Sequence, residues 1–164
     1  MRPISFHKKP VKFLVLDVDG VLTDGGMYLL SSQHAKKFNV KDGLGIKLAH
    51  QAGILVGIIS ASKNNTIITT RAKMLNIPQK YVSVGNSDKL SVLEDWLNKL
   101  DISLEEVAYI GDDITDIPVL EKVGVAVCPN DAVKKVKAVS EIIVLEKNGG
   151  EGCVREFIDE YLLD

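Results

Sequence analysis

The sequence has few of the features that mark secreted, membrane or nucleic-acid-binding proteins. Its two cysteines, Cys128 and Cys153, are far apart and form no C-x-x-C pair, so neither a disulfide scaffold nor a zinc site is expected. No apolar run reaches the roughly 18 residues that a membrane span needs, and residues 1–12 contain no signal-peptide core. The net charge of -2 gives no attraction for nucleic acid. We therefore expect a cytoplasmic protein without nucleic-acid or membrane partners.

The apolar residues that are present alternate between two patterns. Six short runs rich in Val and Ile are predicted to be buried strands: Val11 to Leu16, Ile54 to Ile59, Tyr81 to Val84, Val107 to Ile110, Val125 to Val127 and Ile142 to Leu145. The segments between them carry the 3.6-residue stripe of amphipathic helices. This order predicts one α/β domain over residues 1–164, with a Rossmann-like, doubly wound, mostly parallel sheet.

One stretch departs from the alternation of strands and helices. After Gly25 and Gly26, the segments Met27 to Leu30 and Ala35 to Val40 flank a polar stretch, which predicts a projecting β-hairpin before a helix from Gly43 to Ala52. The hairpin and this helix fill the chain up to the second strand, so no room remains for a cap domain. Because exposed apolar strands are usually protected by pairing with another chain, the hairpin predicts a homo-oligomer.

Polar side chains follow the ends of four predicted strands. They are Asp17 with Asp19, Ser60, Lys89, and Asp112 with Asp113. In a parallel sheet with right-handed crossovers, these positions meet at one edge, where ligands bind. Clustered carboxylates would repel a phosphate unless a cation lay between them, and oxygen ligands favour Mg²⁺. The sequence therefore predicts a site for Mg²⁺ and a small phosphorylated substrate.

The residue types at this edge suit phosphoryl transfer. An aspartate can attack phosphorus while a second acid protonates the leaving oxygen and later activates water, and Asp17 and Asp19 fit these roles. The Ser60 hydroxyl, the backbone N–H of Ala61 and the Lys89 ammonium would hold the phosphoryl oxygens. The other acids of this region, Asp24, Asp113 and Asp116, are expected to fix loops or to support the site residues, and for Asp113 a contact with the metal through water is the alternative.

These motifs, in this order, resemble the haloacid dehalogenase superfamily of phosphohydrolases. The matching elements are Asp-x-Asp-Gly-Val-x-Thr at residues 17–23, Ser60, Lys89 and Gly-Asp-Asp-x-x-Asp at residues 111–116. The resemblance implies Asp17 as nucleophile, Asp19 as general acid and base, and Mg²⁺ held by the side chains of Asp17 and Asp112 with the backbone carbonyl of Asp19.

Within this superfamily the sequence most resembles the cap-less branch. In that branch it is similar to the phosphatases that act on sugar-acid phosphates of eight or nine carbons. Their substrates are 3-deoxy-D-manno-octulosonate 8-phosphate and ketodeoxynononate 9-phosphate. The resemblance is carried by residues 24–26, 37–43, 106–113 and 149–157. It implies a homotetramer whose C-terminal segments reach neighbouring sites, and a place in lipopolysaccharide biosynthesis. The sequence departs from the family at Ser60-Ala61-Ser62, where relatives often have Thr-Gly and a charged residue. The substrate carboxylate would then meet Arg71 and a neighbour's Arg155.

Three other functions are weighed against this one. A signalling receiver domain also uses acids, a hydroxyl and a lysine, but its lysine follows all its acids, whereas Lys89 precedes Asp112. A phosphatase-like assembly module would have lost motif acids, and Asp17 and Asp19 are present. A phosphatase of another phosphorylated metabolite, such as a nucleotide, stays open.

Overall fold

The computed structural model of the chain describes residues 10–29, 34–63 and 65–163. The strands are β1 (Phe13–Leu16), β2 (Tyr28–Leu29), β3 (His34–Ala35), β4 (Leu55–Ser60), β5 (Val82–Val84), β6 (Val107–Ile110), β7 (Val125–Cys128) and β8 (Ile143–Val144). The helices are α1 (Val40–Gln51), α2 (Asn65–Met74), α3 (Lys89–Leu100), α4 (Ile117–Leu120), α5 (Lys134–Lys137) and α6 (Cys153–Phe157). Within these ranges no helix is long and apolar enough to cross a bilayer.

Six of the strands form one parallel sheet in the order β5-β4-β1-β6-β7-β8. Strand β1 lies at its centre, paired with β4 on one side and with β6 on the other, so the order of strands reverses there. Such a switch point leaves a crevice beyond the carboxyl ends of the strands. In this sheet the crevice lies beyond Leu16, the last residue of β1. Leu16 is in register with Ile58 of β4 and Ile110 of β6, so the residues that follow these positions lie near the crevice.

Helices cover both faces of the sheet, and alternate residues of each strand feed two separate cores. Leu14 and Leu16 of β1 pack in the core that α1, α2 and α6 cover, whereas Phe13 and Val15 pack in the core under α3, α4 and α5. All four side chains are fully buried, as expected for a central strand of a parallel sheet. The predicted strands and the doubly wound sheet are thus observed, with ends shifted by one or two residues.

The hairpin is present but shorter than the sequence predicted. Strand β2 pairs antiparallel with β3 through Tyr28 with Ala35 and Leu29 with His34, while residues 30–33 lie outside the described residues. The prediction that the second strand extends to Val40 is wrong. The Asn39 side chain accepts a hydrogen bond from the N–H of Lys41, and this N-cap starts α1 at Val40, before the predicted Gly43.

A buried acid links α1 to α6. Asp42 is 1% exposed, and its Oδ1 accepts a 2.8 Å hydrogen bond from the backbone N–H of Arg155, while its Oδ2 has no hydrogen-bond partner. Burial raises the pKa of Asp42 to about 6, and the Arg155 hydrogen bond and the charges of Lys147 and Arg71 oppose this rise only weakly. The ionised carboxylate therefore destabilises the folded state at neutral pH.

We predict that Asp42→Asn removes a pH-dependent loss of stability. The folded pKa of about 6 exceeds the ordinary value of 3.8, so the folded state binds more protons between these values and stability falls as the pH rises through them. At about 1.4 kcal/mol per pKa unit, the stability of the variant relative to the wild type should rise by about 2 kcal/mol between about pH 4 and about pH 7. Urea denaturation at both pH values measures this.

The control for this prediction is Asp95→Asn, since the Asp95 side chain is 61% exposed on α3. This variant should differ from the wild type by nearly the same amount at both pH values. If the difference between Asp42→Asn and the wild type is also independent of pH, the carboxyl is not held in its neutral form by burial.

Candidate active site

The predicted site residues meet at the crevice beside β1. Asp17 directly follows β1, Ser60 is the last residue of β4, and Asp112 follows β6 after one intervening residue, Gly111. They border a cleft of about 280 Å³. Its lining residues are Asp17, Asp19, Gly20, Gly25, Ser60, Ala61, Ser62, Lys89, Asp112, Asp113 and Thr115. The sequence-based prediction that strand ends bring these residue types together is confirmed.

A buried ammonium, that of Lys89, is part of the wall of the cleft. Lys89, the first residue of α3, is 2% exposed, and its Nζ lies 2.9 Å from Asp17 Oδ2 and 2.7 Å from Asp116 Oδ1. Burial alone would lower the pKa of Lys89, but the attraction of the two carboxylates outweighs burial and raises it. The side chain is therefore a permanent cation that ties the start of α3 to the end of β1.

Asp116 is the acceptor that organises the loop after β6. Its Oδ1 accepts hydrogen bonds from Lys89 and from the Tyr109 hydroxyl, the latter at 2.6 Å, and its Oδ2 accepts from the backbone N–H groups of Asp112 and Asp113. Burial and the charge of Asp116 raise the pKa of Tyr109 well above its usual value, so the hydroxyl remains a donor. The loop-fixing role predicted for Asp116 is confirmed.

Three carboxylates crowd around the single ammonium of Lys89. Oxygens of Asp17, Asp112 and Asp116 lie within 4.8 Å of one another. Burial, followed by repulsion from Asp116, raises the pKa of Asp17 to about 7. Burial, with repulsion from Asp17 and Asp116, raises the pKa of Asp112 to about 8. An additional positive charge at this place would stabilise all three ionised groups.

The donor set fits Mg²⁺. Each oxygen of Asp116 already accepts two hydrogen bonds, whereas each oxygen of Asp17 has one partner, so the side chains that would hold the ion are Asp17 and Asp112. Asp112 Oδ1 is buried without a hydrogen-bond partner. Gly20 leaves space for this carboxylate, since a Cβ at that position would lie 1.9 Å from Asp112 Oδ2. A backbone ligand at Asp19 stays a prediction.

Asp17 itself is held in one orientation. Its Oδ1 accepts a 2.7 Å hydrogen bond from the N–H of Val18, and its Oδ2 faces Lys89. Asp19 also lines the cleft, but its side chain is 39% exposed and pairs with the Nζ of Lys36. No pattern in the sequence distinguishes Lys36 from Lys37 beside it, so this contact was not foreseeable.

Ser60 lies opposite these acids on the neighbouring strand. It is 1% exposed, and its Oγ accepts a 3.1 Å hydrogen bond from the N–H of Ser62. Because the oxygen already accepts from the backbone, its proton can be donated to a phosphoryl oxygen. Ala61 lines the same cleft, as predicted for a phosphate-binding turn.

The two arginines predicted to bind substrate do not line this cleft. Arg71 Nη2 donates a 3.0 Å hydrogen bond to the Asn39 carbonyl, and its guanidinium lies over the Phe38 ring, 5.4 Å from the centroid. Arg155 pairs with Asp159 one turn along the C-terminal helix. The predicted contact of Arg71, and of a neighbour's Arg155, with the substrate stays a prediction.

The Gly149-Gly150 turn packs against the loop after β1, which carries Asp17 and Asp19. The N–H of Gly150 donates a 2.9 Å hydrogen bond to the Val21 carbonyl, and the N–H of Gly149 donates to Asp131 at 2.9 Å. A Cβ at residue 149 would lie only 1.9 Å from the Gly20 carbonyl oxygen. The resemblance assigns this segment to a neighbour's pocket, but its contacts here are with its own chain's loop, which the local sequence does not indicate.

Comparisons with known proteins agree with this geometry. Residues 58–157 match the haloacid dehalogenase-like hydrolase family. The 3-deoxy-D-manno-octulosonate 8-phosphate phosphatase of Salmonella typhi is 41% identical over 170 residues, which cover 98% of this chain and 86% of the relative. The phosphatase of the same name from Escherichia coli K12 is 42% identical over 158 residues, covering 93% of this chain and 80% of the relative.

Solved structures give the same result. The 3-deoxy-D-manno-octulosonate 8-phosphate phosphatase of Moraxella catarrhalis, in complex with a magnesium ion, a phosphate ion and a KDO molecule, superposes with a TM-score of 0.86 at 35% identity, covering 91% of this chain and 84% of that one. The Yersinia pestis phosphatase has a TM-score of 0.86 at 37% identity, with 91% and 79% covered. The chain belongs to the haloacid dehalogenase-like hydrolases. The predicted fold class and enzyme class are confirmed, and the magnesium in the Moraxella complex supports Mg²⁺ as cofactor.

We predict that Gly149→Ala lowers kcat by about 10- to 100-fold, because a shift of about 1 Å in a catalytic group has costs of this size. The added methyl must displace the Gly20 carbonyl and with it the loop that carries Asp19. Steady-state kinetics at saturating Mg²⁺ measure the loss.

Gly53→Ala is the control, because Gly53 has a φ of +83° but no atom within 4 Å of its added methyl. It should lose stability and keep kcat. An unchanged kcat in Gly149→Ala would show that the turn does not position the loop.

Proposed function

We propose that the protein is a Mg²⁺-dependent phosphatase of a small sugar-acid phosphate, of the 3-deoxy-D-manno-octulosonate 8-phosphate type, acting through an aspartyl-phosphate intermediate. One observation carries the proposal. In a chain that is 41% identical to a phosphatase of this substrate, the nucleophile, the acid, the phosphate-binding hydroxyl and the lysine line one cleft. The alternatives are ketodeoxynononate 9-phosphate or another phosphorylated metabolite.

The chain's own groups account for both displacements. In the first, a carboxylate oxygen of Asp17 bonds to phosphorus, the bond to the leaving oxygen breaks, and Asp19 gives that oxygen a proton. In the second, water attacks phosphorus, Asp19 takes its proton, and the bond to Asp17 breaks. Bound Mg²⁺ would supply positive charge that lets the phosphate dianion approach the aspartates.

The remaining groups of the cleft hold the phosphoryl oxygens. The Ser60 hydroxyl donates from one side and the buried Lys89 ammonium lies on the other, where it also holds Asp17 in the orientation for attack. A catalytically silent assembly module would not need this arrangement, because a buried lysine with two carboxylates is costly to maintain without a ligand. The intact cluster therefore favours an enzyme.

We predict that Asp17→Asn folds but loses nearly all phosphatase activity, because hydrolysis of phosphate monoesters has one of the largest uncatalysed barriers known. The measurement is phosphate release with Mg²⁺ from a panel of eight- and nine-carbon sugar-acid phosphates, nucleotides and aryl phosphates. Asp95→Asn, an exposed acid on α3, should retain full activity. Substantial turnover by a folded Asp17→Asn protein would exclude the mechanism, and a preference for nucleotides would exclude only the substrate.

The substrate's carboxylate needs a partner that the cleft of one chain does not provide. Residue 62 is a serine, and neither Arg71 nor Arg155 lines the cleft. We propose that Arg71 and, from a neighbouring subunit of a homotetramer, Arg155 clamp the carboxylate, since a guanidinium binds a carboxylate through two parallel hydrogen bonds. The proposed setting is the cytoplasm, in agreement with the free, buried thiols of Cys128 and Cys153.

The hairpin provides the surface for this assembly. Met27, Tyr28 and Leu29 are 56%, 58% and 69% exposed, an apolar run that a second copy would cover. We predict that Met27→Glu with Leu29→Glu reduces assembly and activity together, as measured by light scattering and by turnover. Val144→Glu on β8, where the residue is 42% exposed, is the control and should change neither. A fully active monomer would contradict the proposal.

A further inference from the structure

Lys36 is a buried cation that the reaction scheme above leaves without a role. It directly follows β3 of the hairpin, its side chain is 1% exposed, and its Nζ contacts Oδ1 of Asp19. The next residue, Lys37, is different. Its side chain is 56% exposed and pairs with Asp24 at 3.0 Å. Two adjacent lysines therefore differ in burial and in partner, and the buried one reaches the acid that lines the cleft.

The burial of the Lys36 side chain indicates that its contact with Asp19 is part of the folded structure. An ion pair on the surface contributes little to the free energy of folding. A buried ammonium, by contrast, destabilises the folded state unless an anion lies beside it. Among the residues that the structure describes, Asp19 is the acid paired with Lys36. The Asp19 side chain is 39% exposed and lies on a loop, with no other hydrogen bond described for its carboxylate. Its position in the cleft therefore depends on this lysine.

We propose that Lys36 is a positioning residue for the general acid and base of the reaction, holding the Asp19 carboxyl where the proton must be transferred. The inference rests on the proposed phosphatase function. When Asp19 gives its proton to the leaving oxygen, the carboxylate that forms faces the Lys36 ammonium, which stabilises it. When Asp19 later takes a proton from water, the same contact keeps it directed at the cleft. Lys36 itself neither gains nor loses a proton.

The test uses the dependence of kcat/KM on the leaving group. This quantity reports the steps up to departure of the leaving oxygen, so it isolates the step in which Asp19 acts as an acid. Aryl phosphates from p-nitrophenyl to phenyl phosphate, together with an alkyl phosphate, form the series. A poor leaving group needs the proton, whereas p-nitrophenolate departs with little help. Loss of a positioned acid should therefore steepen the dependence on leaving-group basicity.

For Lys36→Met we expect kcat/KM to fall by about 10- to 100-fold for the alkyl phosphate and by less than about threefold for p-nitrophenyl phosphate. Lys36→Arg, which keeps the cation, should restore most of the loss. Lys37→Met, the adjacent control, should leave the whole series within about twofold of the wild type. Should Lys36→Met fail to fold, Lys36→Gln replaces it, since it removes the charge and keeps a polar side chain.

A double-mutant cycle separates positioning from a general structural effect. If Lys36 acts through Asp19, then Lys36→Met in an Asp19→Asn background should lower kcat/KM for the alkyl phosphate by less than about threefold. Equal losses for all leaving groups, or additive losses in the double variant, would overturn the proposal. Because the series needs no sugar-acid substrate, it stays decisive if that substrate is wrong. A wild type without activity on any phosphate would instead refute the proposed function.

Discussion

The buried contact of Lys89 with Asp17 and Asp116 joins three separate parts of the chain, and the geometry of the cleft depends on it. Lys89 begins α3, Asp17 directly follows β1, and Asp116 closes the loop after β6. Removing one member would leave buried charge without compensation, at a cost of about 3 to 5 kcal/mol. Each oxygen of Asp116 accepts two hydrogen bonds, whereas each oxygen of Asp17 has one partner, so Asp17 and Asp112 are the carboxylates that can still accept a cation. One ion network thus fixes the orientation of the proposed nucleophile, Asp17, and limits which carboxylates could hold the metal.

The parts of this site that the sequence predicted are those that depend on strand order alone. Asp17, Ser60 and Asp112 follow strands of a parallel sheet, so their convergence follows from the topology once the strands are recognised. Asp116 was expected to fix its loop because a short acid in a turn accepts backbone hydrogen bonds. The predicted start of α1 at Gly43 lies three residues after the observed start, because the Asn39 N-cap begins the helix at Val40.

Contacts between distant segments were beyond prediction. The Gly149-Gly150 turn, which precedes α6, lies against the Gly20 carbonyl, and α6 packs against α1. Nothing in its composition distinguishes it from a flexible linker. Likewise, Lys36 and Lys37 follow β3 and lie outside it. The alternation of side chains along a strand therefore does not predict which of the two lysines is buried. In both cases the partner is set by tertiary packing, which local sequence patterns do not encode.

The two aspartates of the first motif are supported in different ways, and the difference follows from their tasks. Asp17 is buried and held by Val18 and Lys89, which are part of the packed domain. A nucleophile gains from such rigidity, since attack requires one distance and one angle. Asp19 is partly exposed and is held by a lysine beside the hairpin. An acid that later becomes a base must meet a leaving oxygen first and a water molecule afterwards, and partial exposure permits this exchange. The hairpin therefore connects the surface proposed for assembly to Asp19, the group proposed to transfer the proton.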